Sequence, residues 1–196
     1  MTTKTELTKE DILDLAAYEE IRIQRRAEIA ELKKPRRLSV GPYATFYFEC
    51  YDTMWYQVHE MLRIEKGGEE QLKDELVAYN PLIPNGNELV ATVMFEIDDA
   101  DKRHLFLSDI GGVENSFVLE IDGDSITATP EDDVERTNEA GKASSVQFIH
   151  FQLSDAQITK FKKADARVMV GINHPNYGHM TILPEVSRAA LAQDIQ

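Results

Sequence analysis

Three histidines and three carboxylates carry most of the chemistry this chain offers. His150 alternates with Val146 and Phe148 and so lies on an apolar strand face, while His174 and His179 bracket the turn-forming run His174-Pro175-Asn176-Tyr177-Gly178. Glu49 falls among Tyr43, Thr45, Tyr47 and Tyr51, and Glu96 follows Val90, Thr92 and Met94 on one strand face. Glu65 projects into the apolar helical face made by Met54, Trp55, Val58, Met61 and Leu62, at the end of the helix where a carboxylate opposes the dipole. Two or three imidazoles with Glu49, Glu65 or Glu96 would suit iron, manganese or zinc, and an open coordination position would activate water, oxygen or substrate. The bland alternative is a core histidine and salt-bridged carboxylates. His59 and His104 read as surface positions.

A second constellation is basic. Arg22, Arg25 and Arg26 share one side of a helix, and Arg36 and Arg37 follow Pro35. Planar guanidinium forks at these positions form a candidate anion-binding site for carboxylate or phosphate, against the alternative of pairing with the chain's own acids. Nucleophilic catalysis has little support. Cys50 shares a strand face with Ala44, Phe46 and Phe48, which makes it a core thiol. No nucleophile elbow, phosphate-binding glycine loop, dinucleotide fingerprint or paired-histidine zinc helix occurs, and Asp122-Gly123-Asp124 lacks the rest of a calcium loop.

The elements that must position these residues can be read from periodicity and punctuation. Thr8-Lys9-Glu10-Asp11 has the form of a helix start, and helical spacing continues, with a break near Tyr18, to Lys34 before Pro35. Residues 43–51 form a strand. A helix from Asp52 or Thr53 to about Lys66 ends at Gly67-Gly68, and a second fills 69–79. Residues 88–97 form a strand, 98–112 a helix, and 117–121 with 125–129 a hairpin across Asp122-Gly123. The acidic stretch 130–143 reads as a mobile loop. A strand over 146–153, a short helix capped at Ser154, a hairpin of 167–172 with 179–183, and a helix opened by Pro184 complete the chain. Helices come first and strands joined by tight turns later, without regular alternation, so the expected fold class is α+β: one domain over 1–196, an N-terminal helical segment over 1–37, and an antiparallel or mixed sheet.

Composition bounds the rest. The 196 residues are 42% hydrophobic and 29% charged, ordinary for a globular domain, and a chain of this length can bury its own core. Residues 1–37 hold nine Lys/Arg against eight Asp/Glu, whereas 96–139 hold 14 Asp/Glu against three Lys/Arg. That acidic field argues against nucleic-acid binding. The lone Cys50 forbids an internal disulfide, and no apolar run approaches a spanning helix or signal peptide, so a cytoplasmic protein that does not enter membranes is expected. Exposed faces of such a sheet would allow a homodimer.

Several stretches taken together resemble the bacterial family known as domain of unknown function 3501: Arg36-Arg37 to Val40-Gly41, Phe48-Glu49, Glu60 to Lys66, Tyr79-Asn80-Pro81-Leu82-Ile83-Pro84, and His174-Pro175-x-Tyr177. The resemblance spans most of the chain and implies no assigned reaction or catalytic residue. It implies a setting near redox and iron proteins. The expected role is therefore a small accessory or binding protein in a redox or iron-related pathway, working through a redox protein partner or a small ligand. The alternative is a metal-dependent enzyme or metal carrier built on the His/carboxylate set.

Overall fold

A computed structural model describes residues 4–131 and 136–196. It contains six α-helices and nine strands among the described residues, arranged as a helical layer, a five-stranded sheet and a four-stranded sheet. The fold class is α+β. Two antiparallel sheets replace the single sheet expected from the sequence.

The helical layer begins later than expected. Thr8 and Asp11 do form a reciprocal cap, but only over a short 3-10 turn, and α1 (Leu15–Lys33) starts afresh at Asp14, whose side chain accepts from Ala17 N at 2.9 Å. The five-stranded sheet runs β1 (Arg37–Val40), β2 (Ala44–Phe48), β3 (Glu88–Phe95), β7 (Val146–Gln152) and β6 (Thr129–Pro130), all antiparallel. Between β2 and β3 lie α2 (Tyr51–Glu65) and α3 (Gly68–Tyr79). Cys50 stands at the N-cap of α2 rather than within the strand, and its backbone N–H donates to Thr53 Oγ1 at 2.9 Å.

Between β3 and β7 the chain leaves this sheet. It forms α4 (Ala100–Asp109), as read from the sequence, then β4 (Phe117–Ile121) and β5 (Asp124–Thr127) across a turn with Asp122 and Gly123 at φ 49° and 88°. The four-stranded sheet has the order β5, β4, β8 (Val168–His174), β9 (Tyr177–Ile182). The short α5 (Asp155–Phe161) keeps the expected Ser154/Gln157 cap, and Pro184 is the N-cap of α6 (Glu185–Leu191) instead of its first residue. Of the acidic stretch 130–143, residues 132–135 lie outside the described part. On either side the chain is paired: Thr129 and Pro130 with β7, and Thr137 with Ala143.

The layering follows from burial. Facing residues Phe46, Phe48, Leu89, Ala91, Val93, Ile149 and Phe151 pack against Phe117, Leu119, Val168, Val170 and Ile172 of the other sheet. Phe46 and Phe117 meet edge to face at 5.8 Å. The opposite face of the five-stranded sheet, through Val90 and Phe148, meets Tyr18, Met54, Trp55, Val58, Leu82 and Ile83 of the helical layer. With both faces covered, β3 reads as an almost continuous apolar run rather than an alternation. No helix among the described residues is long and apolar enough to cross a membrane.

Candidate functional site

Where β2 and β3 face the helical layer, the sheet and the helices do not close completely. They leave a cavity of about 320 Å³. Its sheet side is Tyr47, Glu49, Thr92, Met94, Val146 and Phe148; Met54, Gln57, Tyr79 and Leu82 come from the helices and the turn after α3, and Lys33 from the last turn of α1. The period-two register makes this set: Tyr47 pairs with Thr92, Thr92 with Phe148 and Met94 with Val146, so one face of three strands is presented together.

Glu49 is the unusual member. It is 7% exposed, its Oε1 accepts from Thr92 Oγ1 at 2.8 Å, and no cation lies within ion-pair distance among the described residues. Arg36 is close enough for its charge to act on Glu49 but is itself bound at both terminal nitrogens by Asp194, at 2.6 and 2.8 Å. Lys33, half-buried on the same cavity, also makes no ion pair among the described residues. Tyr79 adds a hydroxyl 3.4 Å from Gln57 Nε2, and burial holds its pKa above the ordinary tyrosine value, so it stays a proton donor. A few polar groups on apolar walls is the usual make-up of a small-molecule site, and 320 Å³ falls at the small end of such cavities, about 300–1,000 Å³.

A larger cavity of about 460 Å³ lies between the N-terminal segment, α1, α2 and α3. None of its charged groups is buried without a partner among the described residues, Lys66 being exposed. Lys9 pairs with Glu69 at 2.6 Å, Arg63 with Glu19 at 2.6 Å, and the Asp14 side chain caps α1. His59 on its wall, expected at the surface, is 2% exposed: Nδ1 donates to Trp55 O at 2.7 Å and Nε2 accepts from Leu13 N at 3.0 Å. Helical spacing puts His59 four residues beyond Trp55, on the same buried stripe, which is the signal the surface reading overlooked.

The six candidate metal ligands do not converge. His150 faces the helical layer from β7, as its alternation implied, but its partners are Glu88, 2.9 Å from Nδ1, and Glu131, 2.6 Å from Nε2 in an ion-pair contact rather than an aligned hydrogen bond. His174 and His179 belong to the other sheet; His174 Nδ1 accepts from Asn176 N at 3.2 Å, and His179 is exposed beside Tyr177. Glu96 is exposed and accepts from Thr45 Oγ1 at 2.6 Å and Tyr47 OH at 2.8 Å. Glu65 does not enter the apolar face of α2; the helix ends at it, and it reaches solvent, where Gln71 Nε2 donates to it at 3.2 Å. Among the described residues no group of three or more His, Cys, Asp or Glu is placed to hold a metal ion. Glu88, missed in the sequence, is 4% exposed at the first position of β3 and accepts from Gln152 as well as His150.

Four of the five arginines proposed as anion ligands are engaged with carboxylates of the chain. Arg22 holds Glu60 through two nitrogens at 2.7 and 2.8 Å, Arg25 holds Glu28 and Asp52 while stacking on Trp55, Arg36 holds Asp194, and Arg37 lies 3.5 Å from Glu96. Arg26 is exposed on α1 and makes no ion pair among the described residues. Burial pushes the Cys50 thiol up despite Arg36, which fits an unreactive core thiol.

Comparison with known proteins adds family but no reaction. A family model described as "Protein of unknown function (DUF3501)" matches residues 6–195. No curated protein matches the chain. A crystal structure of a novel protein of unknown function from Burkholderia pseudomallei is similar at 36% identity, with a TM-score of 0.89 over 97% of this chain and 99% of that one.

Proposed function

The chain belongs to the DUF3501 family of proteins of unknown function, and on that premise we propose that it is a small-molecule-binding accessory protein whose site is the cavity lined by Glu49, Thr92, Tyr79 and Lys33. One observation carries the reading: Glu49 is buried beside this cavity with, among the described residues, a single hydroxyl as its side-chain partner. A desolvated carboxylate without a cation costs stability, and a protein retains such a group where a ligand completes it. We place this binding role beside redox or iron proteins, as the family resemblance implies, with the ligand as what is sensed or handed on.

A thermal-shift screen of pooled metabolites, run on the wild type and on Val146→Trp, tests it. Val146 lines the cavity without contributing a polar group, so a bulky side chain there occupies the space. A ligand that binds only the folded state raises the melting temperature, by about 2.7 kcal/mol of stability at one hundred times its Kd. The wild type is expected to respond and Val146→Trp not to. Equal responses in both proteins, or none in either, contradict the assignment.

A further inference from the structure

Resting on the binding role assigned above to this cavity, we infer that its ligand is an amino-acid-like zwitterion with an apolar side chain. The cavity is amphoteric. It presents one buried carboxylate, Glu49, and one ammonium, Lys33, and neither has a counter-ion within the chain among the described residues. The buried carboxylate needs an external partner, the half-buried ammonium is free to take one, and a molecule bearing both an ammonium and a carboxylate supplies both. Glu49 Oε1 is occupied by the Thr92 hydroxyl, which orients the carboxylate and leaves the second oxygen to accept from an ammonium.

The remaining walls select the rest of the molecule. Met54, Leu82, Met94, Val146 and Phe148 offer only apolar surface, two of them flexible thioethers that adapt to the shape of what they touch. The cavity, about 320 Å³, suits a metabolite of amino-acid size rather than a dinucleotide. A phosphorylated ligand is disfavoured, because the one unpaired cation lining the cavity among the described residues is matched by a buried anion.

Calorimetric titration of the full chain separates the parts of this inference. The probes are phenylalanine, leucine and methionine, with phenethylamine and 3-phenylpropionate as the ammonium-only and carboxylate-only counterparts of phenylalanine. The amino acids are expected to bind more tightly than either counterpart. Glu49→Gln should weaken phenylalanine and phenethylamine by about 10–100-fold, the worth of a charged hydrogen bond, and spare 3-phenylpropionate. Lys33→Gln, at a half-buried helix end where folding is not at stake, should weaken phenylalanine and 3-phenylpropionate and spare phenethylamine.

Binding of 3-phenylpropionate at least as tight as phenylalanine, or affinities indifferent to both substitutions, overturns the zwitterion while leaving the cavity as a site if Val146→Trp abolishes that binding. Failure of all five probes at millimolar concentration also overturns the zwitterion. The binding role itself falls if the pooled metabolites leave the wild type unmoved as well, or shift wild type and Val146→Trp equally.

Discussion

His59 is buried and His150 largely so, yet their environments push them in opposite directions. Burial opposes charge on His150, but the hydrogen bond to Glu88 and the charges of Glu88 and Glu131 outweigh it and raise its pKa. His59 sits against Trp55 and Tyr18 with no carboxylate bonded to it among the described residues; burial lowers its pKa, helped by Arg25 and opposed by its bond to Trp55 O and by the more distant Glu60. The stability contributed by charged His150 is complete below the ordinary histidine value of about 6.5 and is lost as pH rises through its raised pKa. That of neutral His59 is complete above about 6.5 and is lost as pH falls through its lowered pKa. The deficit of His150→Gln relative to wild type is therefore expected to be larger at about pH 5.5 than at about pH 8.5, and that of His59→Gln larger at about pH 8.5. Urea unfolding at the two pH values checks this, and parallel profiles for the two variants would contradict it. Alternation with Val146 and Phe148 was enough to place His150 on a buried face. Its partner Glu88 was not legible, because the contact spans 62 residues and depends on the register of β3 with β7.

At the scale of elements, Tyr177 joins two hairpins of different sheets. Its hydroxyl donates to Val40 O at 2.7 Å and accepts from Tyr43 N at 2.9 Å and Ala44 N at 3.0 Å, so β9 fastens the β1–β2 turn. Gly41 in that turn has φ 67°, and a Cβ there would lie 2.5 Å from the His179 ring and 2.7 Å from the Tyr177 hydroxyl. The Val40-Gly41 and His174-Pro175-x-Tyr177 stretches that carry the family resemblance are thus two halves of one joint. Tyr177→Phe leaves a carbonyl and two amides without this partner at a partly buried site and is expected to cost about 1–3 kcal/mol. Its urea midpoint measures the loss; a midpoint equal to wild type would show that the joint bears no weight. The hairpins themselves were legible from Asp122-Gly123 and from the run 174–178. That they build a second sheet was not, since β3 and β7 pair directly while the chain between them departs and returns.

Across the whole molecule, the 3-10 turn that follows α1 (Lys34–Arg36) is bound to the C-terminal segment. Arg36 and Asp194, 4% and 5% exposed, form a two-point pair, Ile195 is buried, and Gln196 N donates to Gly86 O at 2.7 Å. Removing one partner strands a buried charge, so Asp194→Ala is expected to lose about 3–5 kcal/mol, and adding Arg36→Met should restore much of it. Comparable losses in the single and double variants would show that packing rather than charge governs this contact. The sequence offered Arg36 as an anion ligand and contained no sign that the anion lies 158 residues away in the same chain. The candidate site has the same origin: Glu49 and Tyr47 were legible as a polar-aromatic strand face, Thr92 joins them through the register of β2 with β3, and Lys33 and Tyr79 only through the stacking of helices on the sheet. The methionines report on that site directly. Met54 and Met94 line the cavity, whereas Met169 and Met180 lie on the other sheet. In a protein labelled with 13C at its methionine methyls, pooled metabolites including apolar amino acids are predicted to move the Met54 and Met94 resonances and leave Met169 and Met180 in place; unmoved Met54 and Met94 signals, or shifts confined to Met169 and Met180, would contradict the assignment of this cavity as the binding site.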